Sequence, residues 1–278
     1  MLWEDVERHY LRDDVAGEIA RFSRDRWVAI HVSDVGGLRM LRYHPSGGEP
    51  IRVESVDDLR RVVQALRPRS FYATIHRYRW RGGAMVDILS SMPSWDIDSR
   101  DGDWVKVVKA GGEILDELES HGVSRSVIVK WSGEGMHIHL NDKAFTPRLA
   151  ARYGPLNIAY AVTQYIISRV RPAEGVLVEN KVDPARVFTS PLSLHRSLDR
   201  VCVCIEPEML DEFSPSWTLP GSFRHFSGWD RYVAGEADML ALKALEAVGP
   251  YPSSKSRRRL HPPVDHVIRM LHKRLGDI

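Results

Sequence analysis

Residues 126–140 constrain the fold of this chain more than any other stretch. Ser126-Val127-Ile128-Val129-Lys130-Trp131 reads as a strand, Ser132-Gly133-Glu134-Gly135 as a glycine-containing turn, and Met136-His137-Ile138-His139-Leu140 as a second strand. In the second strand apolar and imidazole side chains alternate without a break, and a period of two marks a strand with two unlike faces. The spacing predicts Met136, Ile138 and Leu140 against a core and His137 and His139 on an open face. Upstream, an amphipathic helix is expected from about Asp103 to His121. Trp104, Val107, Val108, Ile114, Leu115 and Leu118 form its stripe, and Gly122 stops it. Before that helix, Ser94-Trp95-Asp96-Ile97-Asp98 reads as a short strand. The order β-α-β-β, with an antiparallel hairpin after the helix, calls for a mixed α/β (α+β) body.

The flanking sequence adds helices and short strands. A helical stripe covers residues 10–24, and Trp27–Val32 and Leu38–Tyr43 are expected to pair across Gly36-Gly37. Ser55 caps a helix running to about Leu66, and Ser70–Tyr78 reads as one strand. A helix starts at Pro155 with Leu156, Tyr160, Ile167 and Val170 on its buried face. Val176–Glu179 and Val201–Ile205 are strands, and helices are expected near Glu236–Val248 and Pro263–Leu275. The expected division is a catalytic body over 1–235 and a helical extension over 236–278. With 43% hydrophobic and 27% charged residues, the chain is neither disordered nor collagen-like. Its 39 Lys and Arg against 37 Asp and Glu leave +2, so any nucleic-acid or membrane signal must be local. No apolar run approaches the roughly 18 residues of a membrane span, and the charged N-terminus is no signal peptide. The expectation is an intracellular, cytoplasmic protein with no membrane partner. Cys202 and Cys204 are too few for a four-ligand zinc site or a disulfide framework, so no structural zinc is expected.

Three clusters carry chemistry. Asp96 and Asp98, two apart on a strand, present both carboxylates on one face, where they repel unless a cation lies between them. Such a pair suits Mg²⁺ or Mn²⁺, which take oxygen ligands and share them with phosphates. His137 and His139 share a face by the same rule. The third cluster is Lys181-Val182-Asp183-Pro184-Ala185-Arg186, followed by Ser190-Pro191-Leu192-Ser193-Leu194-His195.

In order and spacing the three together resemble the motifs of the archaeo-eukaryotic primase superfamily, the family of small catalytic primase subunits and primase-polymerases. Its first motif, D-x-D on a strand, is matched by Asp96-Ile97-Asp98. Its second, S-G-x-G-x-H, is matched by Ser132-Gly133-Glu134-Gly135-Met136-His137. Its third, an Asp followed by S-x-H, is matched by Asp183 and Ser193-Leu194-His195. Ser70–Ala73 with Tyr78-Arg79-Trp80 is similar to the segment before the first motif in archaeal members. The resemblance spans roughly residues 8–207. It implies an RRM-like antiparallel catalytic sheet behind an α/β N-terminal part. It also implies a nucleotidyltransferase using two divalent ions, Mg²⁺ or Mn²⁺, held by Asp96, Asp98 and Asp183. Ser132 and His137 would bind the triphosphate, with Gly133, Arg186 and Ser193 beside them, and His195 would approach its phosphates or sugar. The implied partners are a DNA template and primer, nucleoside triphosphates, and a large primase subunit or a repair ligase.

Two positions depart from the family pattern. Glu134 and Thr189 stand where basic residues are common, and Arg186, Lys130 or Lys143 would have to compensate. A nucleic-acid surface has its own signal. His76-Arg77-Tyr78-Arg79-Trp80-Arg81, if extended, aligns Arg77, Arg79 and Arg81 for phosphates and leaves Tyr78 and Trp80 to pack or stack. The basic run Lys255, Arg257, Arg258 and Arg259 reads instead as a solvated linker. Three competing functions stay open: a gap-filling end-joining polymerase of the same superfamily, a metal-dependent phosphohydrolase, and a non-catalytic nucleic-acid-binding subunit.

Overall fold

The structure, a computed structural model, describes residues 1–34 and 37–252. The N-terminal part contains α1 (Trp3–Tyr10), α2 (Asp13–Ser23), β1 (Val28–Asp34), β2 (Gly37–Leu41), α3 (Val56–Leu66) and β3 (Pro68–Thr74). A hairpin of β4 (His76–Arg81) and β5 (Ala84–Ser91) follows. Next come β6 (Ser94–Ser99), α4 (Trp104–Ser120), β7 (Val127–Trp131), β8 (Met136–Leu140), α5 (Pro147–Tyr153), α6 (Pro155–Ile167) and β9 (Val176–Asn180). The chain continues through β10 (Val187–Thr189), β11 (Val203–Ile205) and α7 (Asp238–Val248).

Two antiparallel sheets organise these elements. One has the order β10-β3-β1-β2, the other β11-β7-β8-β6-β9. In the second sheet β6, β7, β8 and β9, with α4 and then α5–α6 as crossovers, make a β-α-β-β-α-β unit. Its first and third strands are central, which is the RRM-like arrangement expected from the motifs. Local chemistry explains the helix starts. The Ser55 hydroxyl accepts from the Asp58 amide at the head of α3, and the Asp103 carboxylate accepts from the Val105 and Lys106 amides at the head of α4. The stripe of α4 buries Val107, Val108, Ile114 and Leu118 as its spacing predicts. Leu240, Ala241 and Ala244 of α7 join the same core. The expected helix at 263–275 and the basic run at 255–259 lie outside the described residues.

Some elements differ from expectation. The single strand predicted over Ser70–Tyr78 is two strands. The chain leaves the first sheet at Thr74, whose hydroxyl donates to the His76 carbonyl (2.9 Å), and then enters the β4–β5 hairpin. That hairpin turns at Gly82 and Gly83, both with positive φ (+56° and +81°), a backbone that favours glycine. On α6 the buried residues are Ile158, Ala159, Ala161, Val162, Thr163 and Ile166, while Leu156, Tyr160 and Ile167 are only half-buried. The helix is enclosed by α7, β5 and β9, so its apolar surface is wider than a single stripe. The imidazole face of β8 is not open. Phe188 of β10 sets its ring edge-on against His137 (4.8 Å between centroids) and His139 (5.0 Å), so the first sheet covers the second.

Candidate active site

Strand register assembles the acidic cluster. Asp96 on β6 lies directly opposite His137 of β8 on one side and Glu179 of β9 on the other. Directly paired residues share a face, and diagonal neighbours remain within reach. Among the described residues, Asp96, Asp98 and Glu179 therefore bring three carboxylate oxygens within 4.8 Å of one another. His137 Nε2 is 3.2 Å from Asp96 Oδ1, and Lys181 Nζ donates to Asp96 Oδ2 at 2.7 Å while lying 3.0 Å from Glu179 Oε2.

These neighbours treat the two aspartates differently. Burial alone would raise the Asp96 carboxyl, but His137 and Lys181 override it and hold Asp96 below the usual carboxylate range. Asp98 is pushed up, first by burial and then by the adjacent Asp96 charge. Among the described residues its carboxylate receives no hydrogen bond. The donor set, three carboxylates with one left unsatisfied, fits a hard divalent cation.

The turn of the second cluster needs its glycines for packing. Gly133 has φ +126°, and a Cβ there would sit 2.8 Å from the His195 ring. A Cβ on Gly135 would run into the Asp98 carboxylate and lie 2.7 Å from the Ile97 carbonyl oxygen. The glycine turn is thus wedged between the aspartates and His195. The result is a cleft of about 280 Å³ lined by Asp96, Asp98, Ser132, His137, Lys181, Arg186 and His195, with Tyr72, Glu134, Thr189 and Arg196 at its walls. The His195 ring is oriented by its own loop, because its Nδ1 accepts from the Leu198 amide (3.1 Å) while Nε2 faces Glu134 at 3.7 Å. Burial lowers the His195 pKa although Glu134 opposes it.

Other expected residues are placed elsewhere. Asp183 is not among the three clustered carboxylates. Its oxygens accept from the Ala185 amide (2.9 Å) and from Arg186 Nε (3.0 Å), a local clasp that aims Arg186 at the cleft. Ser193 is fully buried, and its hydroxyl accepts from the Phe71 amide at 2.8 Å. Lys130 is buried behind the site, donating to the Thr189 carbonyl (2.9 Å) with its ammonium 4.2 Å from the Phe22 ring centre. Lys143 stacks on Tyr232. Neither lysine lines the cleft; Lys181, Arg186 and Arg196 do. Of the three aligned arginines, Arg77 is taken up by Asp142 (3.0 Å), which also pairs with the buried Arg26 (3.3 Å). Arg79 and Arg81 stay exposed on the hairpin.

The sequence motifs do not single out Glu179, and they include Lys181 in the third cluster without a role. Alternation in Val176-Leu177-Val178-Glu179 put Glu179 opposite in face to Val178, but only pairing with β6 shows that it meets Asp96.

A solved structure, the polymerase domain from Mycobacterium tuberculosis Ligase D in complex with DNA, superposes on this chain with a TM-score of 0.55. The match covers 89% of this chain and 90% of that one at 12% sequence identity. The two share a fold. No family model matches the chain, and no curated protein does. Among the described residues no helix is long and apolar enough to cross a membrane.

Proposed function

We propose that the protein is a template-directed nucleotidyltransferase of the primase-polymerase kind, joining nucleoside triphosphates to a primer hydroxyl on a DNA template. The observation that carries this reading is the convergence of all three sequence clusters on one cleft with an acidic and a basic side. The fold shared with a polymerase domain solved in complex with DNA supports it. Asp96, Asp98 and Glu179 would hold Mg²⁺ or Mn²⁺, with Glu179 taking the role that the motif resemblance gives to Asp183. When bound, the divalent ion supplies Lewis-acid stabilisation of charge on the phosphoryl oxygens.

The remaining residues bind and orient. Arg186, Arg196 and His195 face the place of a triphosphate, and each charge-assisted contact is worth about 1.5–3 kcal/mol. Ser132 and the glycine turn set the cleft floor, and Asp183 keeps Arg186 in place. His137 fixes the Asp96 carboxylate. Arg79 and Arg81 on the β4–β5 hairpin are offered to nucleic-acid phosphates.

The test is Mn²⁺-dependent incorporation of nucleotides on primed, unprimed and gapped DNA. Wild type should incorporate on at least one of them, and Asp96→Ala and Asp98→Ala should lose incorporation while remaining folded. Robust incorporation by either variant refutes the site. Template binding with no nucleotide binding in Mn²⁺ would replace this reading with a non-catalytic one.

A further inference from the structure

We infer that Lys181 is a tethered cation occupying one of the two cation positions of the acidic cluster, so that the protein binds a single divalent ion there. The inference rests on the reading of this cluster as a metal site and specifies how many ions it takes. Two ions held by few carboxylates need a bridging group that gives one oxygen to each. Asp96, opposite both neighbouring strands, is the central carboxylate here, yet both of its oxygens are engaged. Oδ1 faces His137 Nε2 at 3.2 Å, and Oδ2 accepts from Lys181 Nζ at 2.7 Å. The same ammonium is 3.0 Å from Glu179 Oε2. Lys181 therefore lies between two of the three carboxylates, where a second ion would sit. Asp98 is left as the open ligand.

This lysine is held in place from its backbone outward. Its carbonyl accepts from Arg186 Nε at 3.1 Å, and the residues on either side are fixed by Asn180, whose side chain accepts from the Val182 amide (3.1 Å) and donates to the Tyr160 carbonyl (3.1 Å). Its side chain is 28% exposed, so the ammonium reaches the carboxylates from the cleft wall. Charge agrees with geometry. One divalent ion and one ammonium neutralise three carboxylates, whereas two divalent ions beside the ammonium would leave an excess of positive charge before any nucleotide arrives.

Mn²⁺ titration of the full chain, followed by the loss of free-ion electron paramagnetic resonance signal, tests this. Wild type should bind one Mn²⁺ per chain. Lys181→Met, which keeps the aliphatic stem and removes the charge, should bind two, and Lys181→Arg should bind one. Thermal melting establishes that each variant is folded, and Lys181→Gln serves as a second neutral variant. Two ions in wild type, or one ion in a folded neutral variant, overturn the inference while leaving the metal site standing. No Mn²⁺ bound by wild type or variants removes the metal-site reading and this inference with it.

Discussion

Replacing Gly135 by alanine adds one methyl group against Asp98. Gly135 is not in the left-handed region, so alanine can adopt its backbone and the effect is steric. The new Cβ meets two things, the Asp98 carboxylate and the Ile97 carbonyl oxygen at 2.7 Å. The carbonyl belongs to β6, and Ile97 is paired with Met136 next to the substitution, so the strand has little room to retreat. The Asp98 side chain must move instead. Overpacking of this kind costs about 1–3 kcal/mol. For a domain of this size each kcal/mol lowers Tm by about 2–4 °C. A fall of roughly 2–12 °C is expected from these two ranges. Function should suffer more than stability, since displacing a reacting group by about 1 Å can cost on the order of 100-fold in rate. The assays are thermal melting, Mn²⁺ affinity and nucleotide incorporation. Gly112→Ala on α4, where a Cβ would meet nothing within 4 Å, is the control and should gain up to about 1 kcal/mol. Gly135→Ala protein that binds Mn²⁺ and incorporates nucleotides at wild-type levels would refute the claim that Asp98 must hold its place.

Asp98→Asn should lose incorporation without losing stability. The folded environment raises the Asp98 carboxyl, so its ionised form opposes folding at neutral pH, and a Tm well below wild type would contradict this. The three hairpin arginines should separate by assay. Arg77→Ala should destabilise by about 1.5–3 kcal/mol through loss of its Asp142 and Arg24 partners, read by denaturant unfolding. The double variant Arg79→Ala, Arg81→Ala should melt like wild type but bind DNA more weakly, with a salt slope shallower by up to about two; an unchanged slope excludes these side chains from the nucleic-acid surface. Burial lowers the Lys130 pKa to about 8. Between there and the ordinary lysine value the unfolded chain binds more protons, so this group's contribution to stability rises with pH. Lys130→Met should therefore be stabilising below pH 8, and its advantage should shrink as pH rises through that value in paired unfolding curves. An advantage independent of pH across that range would show that Lys130 keeps its proton in the fold and that burial does not lower its pKa.

Much of the second sheet was legible because its information is local. Alternation in residues 127–140, the stripe and cap of α4 and the paired aspartates all depend on a few neighbouring residues. Burial of His137 and His139 was not legible, since alternation separates two faces of a strand but cannot tell solvent from a second sheet carrying Phe188. Asp183 has a ligand's role only through the motif resemblance, which carries no information on how its own loop folds. In three dimensions Arg186, three residues on, captures it. Glu179 and Lys181 depend on the register of β9 against β6, which no short-range pattern encodes. The β4–β5 hairpin does have a local signal, the Gly82-Gly83 pair at its turn.

Phe188 has a consequence for how this cleft could be tuned. Its ring rests on the two histidines of the opposing sheet, and the segment that carries it also carries Arg186, two residues earlier, which lines the cleft. Arg186 and the acidic groups of β6 and β9 thus approach the cavity from different sheets, with the Phe188 ring packed between those sheets. Side chains of different girth at that spot offer a way to adjust the aperture without altering any ionisable group.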